Sequence, residues 1–322
     1  MDKTILVTGA SGKLGRFMSA RLVEEGYVVH ALVKSKERSL MLPPGTVPFL
    51  GDIVDKKQLE KACDGADAVM HFAAIVSEYK YTTEQILKTN VVGTRNLLDV
   101  CAECGVKRFL FTSTIDVYGR ARKERLTEES ELKPTDKYGY SKMLAEQVVK
   151  EESDEVKYTI LRLATAYGPG LEHSFFKILR LIKAGKAYVV GRGDNNLSLI
   201  HVADVAQAFL LSLQSKAAEG RVYHFSDGED HTLKQLMDLS AEMLGVPKPT
   251  KQINELLLNV MARSRNIDSD ELRFLTSNRK LDISKAAKEL GYKPKVNIRK
   301  GTQELIAAFN EAEKHHATRS IL

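Results

Sequence analysis

Thr4-Ile5-Leu6-Val7-Thr8-Gly9-Ala10-Ser11-Gly12-Lys13-Leu14-Gly15 decides how the rest of the chain is read. Its first five residues read as a buried strand, a short continuous apolar run rather than an alternating one. Gly9, Gly12 and Gly15 then follow at three-residue intervals. The first glycine permits a sharp turn off the strand. The second lets backbone approach a pyrophosphate with no side chain between them. The third lets the next helix pack close to the sheet. That helix offers free N–H groups and the positive end of its dipole to phosphates. Ser11, Lys13 and Leu14 ride on the same loop. A plain strand-turn-helix uses the same glycines, so the downstream pattern has to separate the two readings.

The 322 residues, 43% of them hydrophobic, can bury one large core or two smaller ones. No apolar run nears the roughly 20 residues of a membrane helix. Met1-Asp2-Lys3 leads straight into the strand, so no signal peptide is expected. Cys63, Cys101 and Cys104 make no disulfide framework and point to a reducing, cytoplasmic setting. Cys101 and Cys104 have no second pair and no nearby histidine, so no metal is expected. A net charge of +6 makes no case for nucleic acid. Nine Lys/Arg between Arg273 and Lys300 face only Asp282 and Glu289. They read as a solvated helical surface, or as a segment part of which faces an anionic ligand.

The first half alternates β-branched runs with helical patterns, which predicts a parallel sheet covered by helices. Strands are expected at Thr4–Thr8, Val28–Val33, Val47–Leu50, Ala68–Phe72, Val106–Thr112 and Lys157–Ala164. Helices are expected from Lys13 toward Gly26, from Asp55 to about Cys63, from Thr83 to Cys104, and from a cap at Thr135 or Asp136 to about Glu152. Together they predict a Rossmann-type, doubly wound α/β sheet with its glycine loop in the first turn. Beyond about residue 165 helices near 173–184, 202–214, 231–244, 252–264, 282–290 and 298–314 predominate. Short strands are expected at Tyr188–Val190, Leu197–Ile200 and Val222–Phe225. The expected division is therefore a nucleotide-binding domain over 1–165 and a mixed α/β substrate lobe over 166–322, with some elements returning to the first.

Tyr138-Gly139-Tyr140-Ser141-Lys142 carries the chemistry. Tyr138 and Lys142 are four apart in a helical context and share a face. A phenol of pKa about 10 is too weakly acidic for a base at neutral pH, and a nearby ammonium lowers that value. The pair could then exchange a proton with a hydroxyl or carbonyl group. The strand Phe109–Thr112 runs into Ser113 and Thr114 at the sheet edge where ligands bind, and Thr114 could hydrogen-bond the reacting oxygen. Asp116 reads as a cap, and His201 as a packing residue at a helix start.

At these residues the chain resembles the extended short-chain dehydrogenase/reductase superfamily, over nearly its whole length. The resemblance rests on Thr8–Gly15, Gly51-Asp52-Ile53, His71-Phe72-Ala73-Ala74, Thr89-Asn90-Val91-Val92-Gly93-Thr94, the strand ending at Thr114, Tyr138–Lys142, Leu161-Arg162-Leu163 through Tyr167-Gly168-Pro169-Gly170, Ile200–Ala206, and Asn278 through Pro294. It implies Tyr138 as acid/base, Lys142 on the nicotinamide ribose, and Thr114 completing the triad. It places Asp52 and Ile53 at the adenine, and Phe72, Ala73 and Ala74 along the cofactor channel. Asn90, Thr112, Leu163, Thr165 and Ala166 would complete the cofactor site with the glycine loop. Thr114, Tyr167 and Arg192 would meet substrate. It also implies a homodimer through the helices Thr83–Cys104 and Asp136–Glu152.

Members that prefer NAD place an acid near the end of the second strand. Here that place holds Val33, followed by Lys34, Ser35 and Arg38, which could hold a 2′-phosphate by charge-assisted hydrogen bonds. NADP is therefore expected over NAD. Sugar-nucleotide members commonly carry an Asn in the turn matching Ala164-Thr165-Ala166 and an Arg at the place of Leu197. Both are absent, although Arg192 or Arg273 could substitute. The leading expectation is hydride transfer between NAD(P) and a secondary alcohol or ketone, on a branch resembling hydroxysteroid dehydrogenases and dihydroflavonol reductases. A UDP-sugar 4-epimerase and a noncatalytic NADP-sensing protein are the alternatives.

Overall fold

The computed structural model describes residues 3–76, 80–152, 155–171, 173–258 and 274–319. In chain order its first half comprises β1 (Thr4–Thr8), α1 (Lys13–Glu24), β2 (Val28–Val33), α2 (Lys36–Ser39), β3 (Thr46–Leu50), α3 (Lys56–Cys63), β4 (Ala68–His71), α4 (Thr83–Leu87), α5 (Gly93–Glu103), β5 (Arg108–Thr114), β6 (Ala121–Leu126), α6 (Lys137–Glu151) and β7 (Lys157–Leu163). The second half adds β8 (Thr165–Tyr167), α7 (His173–Lys183), β9 (Val189–Val190), β10 (Asn196–Leu197), β11 (Leu199–His201), α8 (Val202–Gln214), β12 (Arg221–Phe225), β13 (His231–Thr232), α9 (Leu233–Leu244), β14 (Gln252–Ile253), β15 (Asn278–Leu281), α10 (Ser284–Leu290) and α11 (Ile298–Arg319).

Seven strands pair in the order β12-β7-β5-β4-β1-β2-β3, all parallel. The chain builds outward from β1 to β3, then crosses back to place β4 on the other side of β1. That reversal opens a crevice at the C-terminal ends of β1 and β4, where ligands of doubly wound sheets bind.

Ile5, Leu6, Val7 and Thr8 are all fully buried because helices cover both faces of the sheet. Ile5 and Val7 join Met18 and Leu22 of α1 and Val205 and Phe209 of α8 in one apolar layer. Leu6 joins Leu59, Leu97 and Val148 in the opposite layer. Alternate residues of one strand thus feed two cores. A third core, with Phe175, Leu179, Leu233, Met237 and Phe309, holds α7, α9 and α11 together. The second half therefore goes both ways: α8 and β12 return to the main sheet, while α7, α9 and α11 form a lobe of their own.

Local chemistry sets the helix ends. Asp136, rather than Thr135, caps α6 and accepts from the Gly139 N–H at 2.8 Å. Asp55 caps α3. Three expectations differ from the structure. The helix expected over Thr83–Cys104 is broken by a π turn at Lys88–Val92, centred on Asn90. The strand expected over Leu197–Ile200 is two strands, β10 pairing with β13 and β11 with β8. Between them Ser198 donates to the Arg279 carbonyl at 3.0 Å. The helix expected over 252–264 begins instead with β14, paired to β9, and from residue 259 lies outside the described residues.

Candidate active site

The glycine loop is defined by two close approaches. Gly9 has φ +67°, and a Cβ there would stand 2.6 Å from the Ala73 nitrogen. A Cβ on Gly15 would stand 2.1 Å from the Gly9 carbonyl oxygen, so the first turn of α1 lies directly against the loop. Gly12 is the N-terminal cap of α1 and brings no capping side chain to its first N–H groups. A bare helix start behind a loop with no room for side chains is a cradle for a diphosphate. The residues present therefore fit a dinucleotide cofactor, whose phosphates Gly9 through Gly15 would hold.

A buried chain of hydrogen bonds ties this loop to α6. Thr94 Oγ1 donates to the Asn90 carbonyl at 2.7 Å, so it accepts from His71 Nε2 at 2.9 Å. His71 Nδ1 then accepts from Thr8 Oγ1 at 2.6 Å, which fixes a neutral tautomer. Burial, followed by Lys142, holds His71 well below the usual histidine range. The Asn90 side chain accepts from Ile75 N–H at 2.7 Å. It donates to the Ile75 carbonyl at 2.9 Å and to Ser141 Oγ at 2.8 Å. Ser141 in turn donates to the Tyr138 carbonyl at 2.8 Å. The π turn is thus where the helix gives Asn90 up to the site.

At the end of β5 the period of two separates the hydroxyls. Ser113 turns back and donates to Glu146 at 2.5 Å. Glu146 also receives Arg162 through three contacts of 2.7–3.2 Å. Thr112 and Thr114 line the cleft, and the Thr112 hydroxyl is buried without a partner. Tyr138 lines the same cleft from α6. Lys142, one turn on, is 2% exposed, with its Nζ 4.0 Å from the Phe111 ring centroid. Burial pushes the Lys142 ammonium down to about 7, against an opposing pull from Glu146.

The cleft has a volume of about 290 Å³. Leu14, Thr112, Thr114, Tyr138, Leu163, Thr165 and Ala166 all line it, so Leu14 of the glycine loop and two of the three expected catalytic residues, Thr114 and Tyr138, meet in one place, while Lys142 is buried behind Tyr138. Phe72, Ala73 and Ala74 follow β4 beside the loop, where Ala73 N–H donates to Thr8 Oγ1 at 3.3 Å. Phe72 also stacks on Phe209 of α8 at 4.6 Å. At the far end of the crevice Lys34 pairs with Asp52 at 3.0 Å. Ser35 caps α2, which carries the exposed Arg38, and Ile53 is buried under Gly93.

Two expected substrate residues lie elsewhere. Tyr167 is 1% exposed and packs on Phe175, His201 and Gly301 in the third core, which leaves it no path to the cleft. Arg192 has 85% of its side chain exposed and pairs with Asp194 on the β9–β10 turn. Arg273 lies outside the described residues. His201 caps α8 through Nδ1, as a helix-start residue should, and its Nε2 faces Glu304 at 3.2 Å. Asp116 does more than cap. Its carboxylate accepts from Thr114 Oγ1 at 3.1 Å and from Arg279 Nη1 at 2.8 Å. Arg279 comes from β15, 3% exposed, and lines the cleft. In the sequence it falls within the basic run at 273–300, most of which is solvated, and within the Asn278–Pro294 stretch of the resemblance, neither of which marks it as a cleft residue.

A doubly wound sheet with a diphosphate cradle at its switch point, and with tyrosine, lysine and threonine gathered beside it, defines a dinucleotide-dependent enzyme. Residues 5–225 match the model of the NAD dependent epimerase/dehydratase family, more than half of the chain. An N-acetyl-alpha-D-glucosaminyl-diphospho-ditrans,octacis-undecaprenol 4-epimerase of Escherichia coli O157:H7 is 32% identical over 243 residues, 74% of this chain and 71% of that protein. A 2-alkyl-3-oxoalkanoate reductase of Stenotrophomonas maltophilia is 27% identical, across 94% of this chain and 98% of its own. UDP-glucose 4-epimerase of Thermotoga maritima, solved with UDP-glucose, superposes with a TM-score of 0.79 at 26% identity, over 96% of this chain and 99% of that one. The chain belongs to the NAD-dependent epimerase/dehydratase family, and is an enzyme of the extended short-chain dehydrogenase/reductase type.

Proposed function

We propose that this enzyme transfers a hydride between NAD(P) and a secondary alcohol or ketone, with Tyr138 as acid/base. The observation that carries the reading is that Tyr138 and Thr114 line one small cleft with the glycine loop, while Lys142 is buried one helical turn behind Tyr138. Bound NAD(P) would supply the hydride acceptor or donor. Tyr138 takes the hydroxyl proton of an alcohol, or gives one to a ketone oxygen. A Lys142 ammonium behind it favours the phenolate. Thr114 positions the reacting oxygen. Asn90 and Ser141 hold the backbone of Tyr138.

NADP is favoured over NAD. Val33 occupies the position of the expected acid and is 2% exposed, so nothing there competes for a 2′-phosphate. Lys34, Ser35 and Arg38 follow it, and Lys34 needs only to leave Asp52, an exposed pairing that holds it weakly. Lys34→Glu is expected to weaken NADP at least about tenfold while changing NAD little. Fluorescence titration of both nucleotides reads this, and an unchanged ratio removes the NADP assignment.

A UDP-sugar 4-epimerase is the second reading, favoured by relatives with epimerase names at 32% and 26% identity. Against it, Ala164, Thr165 and Ala166 bring no asparagine side chain to the cleft. Leu197, at the place of the expected arginine, is 3% exposed in the third core. A homodimer through α4, α5 and α6 belongs to the proposal. Val92 and Tyr140 leave 42% and 45% of their surface exposed on this side of the fold. Native mass spectrometry of freshly purified protein with NADP, NAD and UDP tests the first reading against the second. Exchangeable NADP without a UDP adduct is expected. Retained NAD together with a UDP adduct would establish the epimerase instead.

A further inference from the structure

We propose that Arg279 and Asp116 are positioning residues that turn the Thr114 hydroxyl proton away from the substrate, so that Thr114 meets the reacting oxygen as a hydrogen-bond acceptor. The inference rests on Thr114 being an active-site residue, as read above. Its starting point is a hydrogen-bond assignment that leaves no choice of direction. The backbone N–H of Asp116 can only donate, and it lies 3.2 Å from Thr114 Oγ1. The Asp116 carboxylate can only accept, and its Oδ2 lies 3.1 Å from the same oxygen. The Thr114 proton therefore points to Asp116. One lone pair of Oγ1 is taken by the N–H, and one remains for a ligand in the cleft.

Arg279 holds the Asp116 carboxylate from the side away from Thr114 Oγ1. Its Nη1 donates to Asp116 Oδ1 at 2.8 Å, to the Ile115 carbonyl at 2.9 Å and to the Gly119 carbonyl at 3.0 Å. One buried guanidinium thus fixes both the carboxylate and the short turn that carries it. Serine or threonine hydroxyls rotate freely unless a stronger partner claims the proton, and a carboxylate paired to arginine is such a partner. The consequence is selective. A substrate alcohol can donate to the remaining lone pair, whereas a ketone oxygen finds no proton there and relies on Tyr138 alone. The site is built to hold the alcohol form.

Neutron diffraction on crystals of the full-length perdeuterated protein with NADP bound tests this directly. The expected result is a deuteron on Thr114 Oγ1 directed at Asp116 Oδ2. A deuteron directed into the cleft overturns the proposal. Asp116→Asn supplies the second arm and preserves shape. Its amide oxygen stays with Arg279, and its NH₂ faces Thr114 and donates. Both lone pairs of Oγ1 are then taken, and the deuteron is expected to swing from residue 116 into the cleft. An unchanged orientation in that variant, with Arg279 still in place, also overturns the proposal, because a pair with a purely structural role would not move the hydroxyl. Neither arm needs turnover, so failure of the oxidoreductase reading would show separately, as absent activity with the proton direction intact.

Discussion

Tyr138→Phe is expected to lower kcat by about 10²–10⁴-fold, the usual contribution of a positioned proton donor or acceptor. The change removes one oxygen and leaves the ring against its neighbours. The start of α6 does not depend on that oxygen. Asp136 caps it through Gly139, and Ser141 holds the Tyr138 carbonyl. The glycine loop lies on a different element. Cofactor affinity should therefore stay within about twofold, and stability within about 1 kcal/mol. The measurement is steady-state turnover beside a nucleotide titration of the same preparation. Loss of turnover with intact nucleotide binding identifies Tyr138 as the acid/base. Turnover retained within tenfold would move that role to another group. A cellular function that survives the change would favour the noncatalytic, NADP-sensing alternative.

The parts of this enzyme that could be read from its sequence are those whose signals are local. β1 shows itself because a strand buried on both faces is a continuous apolar run, and the glycine loop because three glycines fall within seven residues. Tyr138 and Lys142 are one helical turn apart, and Thr114 ends a strand. The features that escaped depend on distance along the chain. Asp116 and Arg279 are separated by 163 positions, and no periodicity links them. β6 reads Ala-Arg-Lys-Glu-Arg-Leu and β15 reads Asn-Arg-Lys-Leu, too charged to look like strands, yet they pair and deliver Arg279 to the cleft. The π turn at Asn90 escaped because one widened turn does not disturb an apolar pattern sampled over twenty residues. Tyr167 was drawn to the substrate by its place after β7. Its direction was decided by the third core, which only exists once α7 and α11 have packed around it.

Lys142→Met is expected to stabilise the cofactor-free protein while removing most of its activity. Lys142 is 2% exposed with an ammonium held near pH 7, against about 10.4 in an unfolded chain. Below pH 7 the group is charged in both states, and folding carries the whole cost of burying that charge. Between about 7 and 10.4 the folded group is neutral while the unfolded one still binds a proton, so the cost shrinks as pH rises. Above that range it is gone. The gain from methionine should accordingly be on the order of a few kcal/mol at pH 6 and fade toward pH 10. Methionine keeps the length of the stem over Phe111. It does not strand Glu146, whose carboxylate is held by Arg162 at 2.7 Å and by Ser113. Thermal melts of the two proteins across this range, read together with turnover, decide the matter. A variant that melts lower at pH 6, or a difference that is flat with pH, would mean that the ammonium is not desolvated. The expected pattern carries a physical meaning. A charge that destabilises the fold by this much is retained where a phenolate has to form at neutral pH, and a residue chosen for packing alone would be apolar.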